Sequence, residues 1–423
     1  MSHFAKRFTG LSGIVSLMED LGEALNQNPD SIFMGGGNPA NIAEVEQCVA
    51  LHLQAIAQHE QRLHKLIGEY QPPQGDPAFL SLMAEFLSER YGWPVTANHI
   101  AVSNGGQSAF FTLFNMLAGD NRENDNKSVL LPMVPDYLGY ADAGIDDDMF
   151  SGRAPRIQPL DATTFKYAVD FDQLAIDDTT AALCLSRPTN PSGNIVTDKE
   201  VSELKRLCRR QGIPLMIDAA YGKPFPGVTF VDHELSWDED TILILSLSKL
   251  GLPGVRTGIV IAHPDIIKRF SRATASLSLS PGNLGPTLCK SLLAAGDLTD
   301  LCQRVIQPFY QRKMQQTLHY LIEKFNGTPV KIHKPEGAFF LWLWFQDLPI
   351  DSQHLYERLK QKGVLVLSGH HFFQALADKE WAHQYQCLRL SYCQPWQKVK
   401  QGIDILAEEV GEIYEGRFRA GLQ

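Results

Sequence analysis

Thr241-Ile242-Leu243-Ile244-Leu245-Ser246-Leu247-Ser248-Lys249 is an apolar run that ends on a lysine. Gly251, Gly254, Arg256 and Gly258 follow, and then a second apolar run, Ile259-Val260-Ile261-Ala262. A short β-rich run bounded by turn residues reads as a buried strand. In an open α/β sheet, ligands gather at the carboxyl ends of such strands. A lysine delivered there is poorly solvated, which disfavours its ammonium and leaves more of it as a nucleophilic amine. Ser246, Ser248 and Arg256 stand close enough in sequence to hold an anion beside it, phosphate being the obvious one. Read alone, Lys249 is equally well a solvated loop charge, so its neighbours must decide.

Working outward, strand-like runs recur at Val129–Pro132, Ala181–Leu185 and Ile213–Ile217, separated by helix-like stretches such as Lys199–Gln211 behind the cap Thr197-Asp198. That alternation implies βαβ units and a mostly parallel sheet. The last third changes character. Leu288–Glu323 reads as one or two long helices broken near Pro308, followed by strands at Ala338–Phe345, Val364–Leu367 and Cys387–Ser391. The expected architecture is α/β: a large domain at about 45–290, and a smaller α+β unit built from residues 1–44 and 291–423.

Composition narrows the partners. The 423 residues carry 38 Lys plus Arg against 48 Asp plus Glu, a net charge of −10, which argues against nucleic acid or an anionic membrane. Seven scattered cysteines with no CxxC suggest neither a disulfide framework nor a zinc site. Met1–Arg7 lacks a secretory h-region, Leu11–Leu25 reads as a short amphipathic surface helix, and no apolar run is long enough to span a bilayer. A cytoplasmic protein is expected.

Each strand end carries a chemically useful group. Ser103-Asn104-Gly105-Gly106-Gln107 opens a helix-like run, and small residues there expose N–H groups that bind phosphate, unless this is a plain loop. In Pro135-Asp136-Tyr137-Leu138-Gly139-Tyr140, Tyr137 offers a ring to lie over a flat cofactor, although most tyrosines are structural. Ser186-Arg187-Pro188-Thr189-Asn190-Pro191-Ser192-Gly193 is a tight turn in which Asn190 is a donor suited to a phenolate oxygen. Leu215-Met216-Ile217-Asp218-Ala219-Ala220-Tyr221 ends a strand on a carboxylate, which is either a helix cap or the partner of a pyridinium N–H. Arg389, between apolar flanks in Cys387–Ser391, wants a carboxylate, supplied by a substrate or by an internal ion pair. His370-His371 is discounted as a metal pair, because adjacent residues on an extended chain point apart.

An amine, a phosphate clamp, an aromatic plate and a carboxylate together are what pyridoxal 5′-phosphate (PLP) requires. In this order they strongly resemble the fold-type I PLP-dependent aminotransferases (class I/II), and the resemblance covers nearly the whole chain. It implies a PLP domain whose mostly parallel sheet is sandwiched by helices, beside a smaller domain made from both chain ends. It implies that Lys249 anchors the cofactor and then acts as the proton-transferring base, with Asp218 on the ring nitrogen and Asn190 and Tyr221 on the phenolate oxygen. Gly105, Gly106, Gln107, Ser246, Ser248 and Arg256 would hold the phosphate. Phe33-Met34-Gly35-Gly36-Gly37-Asn38-Pro39 resembles the family's Gly-x-Pro loop, in which Gly37 joins Arg389 on the substrate carboxylate. Tyr70-Gln71-Pro72-Pro73-Gln74-Gly75 is similar to the segment whose tyrosine reaches the phosphate of a neighbouring subunit, which implies a homodimer with shared sites.

Met34–Ala40, Ser246–Gly254 and His333–Ala338 resemble more narrowly the members that exchange amino groups between valine or alanine and pyruvate or 2-oxoisovalerate, by a ping-pong cycle. Three positions depart from the broader pattern. Ser192 stands for a commoner threonine, Ala338 for a glycine, and Ser368 for a proline whose loss loosens the loop before His370. A different PLP reaction on the same fold remains open, whether a broad-specificity or aromatic aminotransferase or a C–S lyase. So does a PLP-binding regulator, although the acidic charge counts against it.

Overall fold

The computed structural model describes residues 13–120, 126–146 and 148–416; Met1–Arg7 and Leu11–Ser12 of the stretches read above lie outside them. An eight-stranded sheet runs in the order Ile100–Ser103, Gly258–Ile261, Thr241–Ser246, Leu215–Asp218, Thr180–Ser186, Asn126–Leu131 and Gly119–Asp120, with Phe150–Gly152 also on Asn126–Leu131. From Thr241–Ser246 through Asn126–Leu131 to Phe150–Gly152 every pairing is parallel, whereas Gly258–Ile261 is antiparallel to both of its neighbours. The strands Thr180–Ser186, Thr241–Ser246 and Gly258–Ile261 are buried throughout, as a parallel sheet covered on both faces demands. Register places Asp218 opposite both Ser186 and Ile244, so Thr180–Ser186 and Leu215–Asp218 end level and Thr241–Ser246 runs two residues further at the same edge.

A second sheet has six strands, in the order Leu367–Ser368, Cys387–Ser391, Phe340–Phe345, Val330–His333, Thr164–Ala168 and Arg156–Pro159. Its last two strands are supplied by the middle of the chain: the ribbon at 156–168 leaves the region of the first sheet and pairs, parallel, with Val330–His333. Ile32–Phe33 forms a separate parallel pair with Val364–Leu365.

The long helical stretch differs from the expected break near Pro308. The helix Leu284–Ala295 stops at Gly296 in the left-handed region, and Leu301–Ile306 is a π-helical segment that runs without interruption into Gln307–Lys324. Pro308 comes two residues after the π-helical segment, and the chain stays helical through it. The amphipathic helix Gly13–Gln27 is present, but it is not merely a surface element. Leu17 and Leu21 are buried, and Asp20 pairs with Lys360 at 2.6 Å.

Candidate active site

The strand ends, the Gly35–Asn38 loop and the Gly13–Gln27 helix enclose a cavity of about 520 Å³. Lys249 enters it from a single 3-10 turn, Ser248–Leu250, closed by Gly251 at φ +107°. Its Nζ donates to the Gly37 carbonyl at 2.6 Å and lies 5.3 Å from the centre of the Tyr221 ring and 5.6 Å from that of Phe339. Burial pushes this ammonium down to about 8; Cys393 and Asp218 oppose the shift, and Arg389 and Arg256 add to it. The solvated-loop reading of Lys249 does not hold.

Asp218 forms the floor. One carboxylate oxygen accepts the Ala220 N–H at 2.9 Å and the other the Tyr140 hydroxyl at 2.9 Å. Burial raises its pKa, while those two donors and Lys249 pull it back. Tyr140 has no exposed surface and is packed among Phe110, Phe114 and Tyr137. Sequence reasoning quoted Tyr140 only as part of a motif. Nothing in its spacing announces a partner 78 residues away. Asp136, just before Tyr137, is another buried acid, accepting from the Tyr137 N–H at 2.7 Å, the Ser186 N–H at 3.0 Å and the Ser186 hydroxyl. Burial lifts it to about 7, and the Ser186 donors oppose that.

Arg389 is buried and pairs with no carboxylate among the described residues, so the internal ion pair is not formed. Its Nη1 donates to Asn190 Oδ1 and its Nη2 to the Gly35 carbonyl, both at 2.6 Å, while Nε is buried without a partner. The guanidinium carbon lies 4.1 Å from the Phe340 ring centre and 5.1 Å from that of Phe372. Burial lowers its pKa to about 10. Because Asn190 Oδ1 is committed to Arg389, its NH2 group is the part left to donate into the cavity.

The residues expected to hold phosphate lie near one another as well. Gly105 precedes the helix Gly106–Leu117 at φ +97°, and a Cβ on it would sit 2.6 Å from Arg256 Nη2, so only glycine lets the guanidinium lie against the helix start. Ser246 lies across from Gly106, and its hydroxyl accepts the Ser248 N–H at 3.1 Å. Gln107 reaches across to the Gly139 carbonyl at 3.2 Å, and Tyr137 lines the same cavity. Free helix N–H groups, an arginine without a carboxylate partner among the described residues, a flat space and a carboxylate at its end are a chemical fit for PLP.

Gly37, Gly106, Gln107, Tyr137, Asn190, Asp218, Tyr221, Ser246, Ser248, Lys249, Arg256 and Arg389 all line the cavity, and Gly105 stands directly behind it. Tyr70 does not join them; its side chain is 82% exposed. The sequence also missed the apolar wall of Leu17, Met18, Leu21 and Phe33. Two loop expectations change. Ser368 is tied to Ser352 at 2.7 Å and to His370 at 2.8 Å, so the loop is held by hydrogen bonds in place of a ring. Gly369–Phe372 is a 3-10 turn, not an extended segment, and it brings the two histidine rings to 4.0 Å. Ala338 takes the φ of +58° that a glycine would adopt freely.

The model of the family described as aminotransferase class I and II matches residues 40–406. The chain belongs to that family. It is 45% identical to the valine–pyruvate aminotransferase of Escherichia coli K12, over 97% of each chain. A putative amino-acid aminotransferase from Psychrobacter arcticum 273-4 superposes with a TM-score of 0.95 at 38% identity, over 98% of this chain and 100% of that one. The valine–pyruvate aminotransferase of Salmonella typhimurium LT2 gives 0.87 at 43% identity, over 94% and 99%. This aminotransferase thus has the fold-type I architecture, and the enzymes of its family use PLP. Among its described residues no helix is long and apolar enough to cross a membrane.

Proposed function

We propose that this aminotransferase exchanges amino groups between neutral aliphatic amino acids, valine and alanine, and the oxo acids pyruvate and 2-oxoisovalerate. The observation that carries this reading is the lining of the cavity. Among the described residues its cations are Lys249, Arg256 and Arg389, and Leu17, Met18, Leu21, Phe33 and Leu367 offer apolar wall to a side chain. An aspartate side chain would find apolar surface there, at the desolvation cost of an unpaired carboxylate.

PLP, when bound, supplies an aldehyde that takes up the amino group and a ring that accepts electron density from the substrate carbon. Gly105, Gly106, Gln107, Ser246, Ser248 and Arg256 would hold its phosphate, and Tyr137 its face. Asp218, whose carboxylate accepts from Tyr140 and Ala220, would hold the proton on the ring nitrogen. Asn190 and Tyr221 donate to the ring oxygen. Arg389 binds the substrate α-carboxylate beside the Gly37 backbone. Lys249 anchors the cofactor. With the cofactor bound, its amine would be placed as the base that takes up and returns the proton of the substrate carbon. Both halves use one site, so the first oxo acid leaves before the second enters.

The exposed apolar residues Ile67, Tyr70, Leu279 and Leu284 support a homodimer to which Tyr70 brings the partner's phosphate a further donor. The Asn283 amide donates to the Glu69 carbonyl at 2.8 Å, so their two segments lie side by side. Our domain division remains 45–290 against the two chain ends, with the ribbon at 156–168 counted with the latter. We place the enzyme in the cytoplasm. The deciding experiment mixes holoenzyme separately with valine, alanine and aspartate and follows loss of the cofactor's visible band. Fast loss with valine and alanine and slow loss with aspartate is expected; aspartate reacting as fast as valine overturns the reading.

A further inference from the structure

Behind the site, Tyr310 makes a connection that the family roles above leave unused. It has 1% exposure, yet its hydroxyl points toward the active site and accepts the Ala40 N–H at 2.8 Å. Ala40 closes the Gly37-Asn38-Pro39 loop, whose Gly37 carbonyl holds Lys249 Nζ. The same hydroxyl faces the Cys393 thiol, two residues beyond Ser391, whose N–H binds the Met34 carbonyl at 2.7 Å. The Tyr310 ring is stacked on Phe339 at 5.2 Å and 25°, and Phe339 is one of the two rings flanking Lys249. Tyr310 therefore touches two of the surfaces that define where the lysine amine lies. It stands four residues after the π-helical segment Leu301–Ile306, whose extra residue per turn sets the direction in which the following helix projects it.

We propose that Tyr310 is a positioning residue for Lys249: bridging Ala40 and Cys393, it fixes the Gly37 carbonyl against the amine and so sets the amine's proton affinity. This deepens the aminotransferase reading above and rests on Lys249 being the cofactor-binding amine. The argument is geometric. A carbonyl oxygen directed at an ammonium favours the charged form. The Gly37 carbonyl belongs to a loop held on one side by Arg389 at Gly35 and on the other by the Tyr310 hydroxyl at Ala40. The groups facing Lys249 are Cys393, Arg389, Asp218 and Arg256 with the rings of Tyr221 and Phe339; of these only Cys393 meets the Tyr310 hydroxyl and loses a partner when tyrosine becomes phenylalanine, which is why Cys393 is varied separately. Loss of one hydroxyl should lower the amine's proton affinity and spread its orientations, without emptying the site.

The test measures the rate at which the full chain, freed of cofactor, captures PLP between pH 6 and 10. Parent, Tyr310→Phe, Cys393→Ser and Cys393→Ala are compared, alongside thermal melts and steady-state turnover of each holoenzyme. In the parent the capture rate should rise with pH through a midpoint near 8 and level off above it. Tyr310→Phe should bring that midpoint down by half a unit or more, about a threefold change in proton affinity, and cut kcat roughly tenfold with little change in melting temperature. Cys393→Ser, which keeps a hydrogen-bonding partner for the hydroxyl, should track the parent, and Cys393→Ala should move part of the way toward Tyr310→Phe. An unmoved midpoint with kcat within twofold overturns the proposal, as do losses that follow the melting temperature alone. If Tyr310→Phe does not fold, identical midpoints for Cys393→Ala and Cys393→Ser overturn it instead. Because capture uses PLP without any amino acid, failure of the valine assignment leaves this result readable on its own.

Discussion

Replacing Tyr140 by phenylalanine tests how the floor of the site is kept ionised. The substitution removes one oxygen and leaves the packing against Phe110, Phe114 and Tyr137 in place. Asp218 then keeps one protein donor, the Ala220 N–H at 2.9 Å, instead of two. A hydrogen bond to a charged group contributes about 1.5–3 kcal/mol, and each pKa unit corresponds to about 1.4 kcal/mol, so the carboxyl should climb by about one to two units. The direction matters. Burial already raises Asp218, and it is deprotonated only above its folded pKa. A further rise moves the acid limb of the profile to higher pH, and the loss is largest on the acid side. The half-reaction with valine, followed by stopped flow from pH 6 to 9.5, should slow about ten- to a hundredfold near neutrality and recover partly at high pH. An acid limb that stays in place, with rates within twofold of the parent in a normally folded variant, refutes the assignment of Tyr140 as the donor that holds Asp218 anionic.

Two other substitutions probe the ends of the cavity. Arg389→Lys keeps the charge but loses the fork that joins Asn190 and Gly35 and the stacking on Phe340; KM for valine should rise about ten- to a hundredfold with a smaller effect on kcat, and an unchanged KM in steady-state assays would argue against a carboxylate at this arginine. Gly105→Ala places a Cβ 2.6 Å from Arg256 Nη2 at a φ of +97°, strain of about 1–3 kcal/mol, so PLP retention measured by equilibrium dialysis should weaken at least several-fold; undiminished retention would mean that the cradle lies elsewhere.

The site was legible wherever chemistry sits at a strand end. Lys249, Asp218 and the Asn190 turn follow apolar runs, and a parallel sheet converts such endings into neighbours without any further signal. What escaped reading depends on contacts between distant segments. Tyr140 is one tyrosine among twelve in the sequence until the fold sets it against Asp218. The helix at 13–27 has the pattern of a surface element because one of its faces is indeed exposed, and only the closed structure shows Leu17 and Leu21 turned toward the cavity. A π-helical segment stands where a break at Pro308 was expected: a proline inside a helical run removes a backbone hydrogen bond, and here the chain changes its hydrogen-bond spacing just before the proline instead of ending the helix. The pairing of 156–168 with Val330–His333 spans more than 160 residues, and no local pattern encodes a partner that far away.

That ribbon also governs how the molecule can be taken apart. The chain crosses from one sheet to the other before residue 156, returns after 168, and crosses again for its final third, so the sheets are laced together and not strung in series. A cut after residue 290 would leave Thr164–Ala168 as an open edge, with its backbone groups unpaired and Lys166 deprived of Glu336. The strands of the first sheet all fall within residues 100–261, whereas the second needs both 156–168 and 330–391. Assembly of the second must wait for the carboxyl-terminal strands, which makes late, long-range pairing an obligatory stage of folding. A working enzyme should therefore be recovered from complementary fragments only when both are present as they collapse.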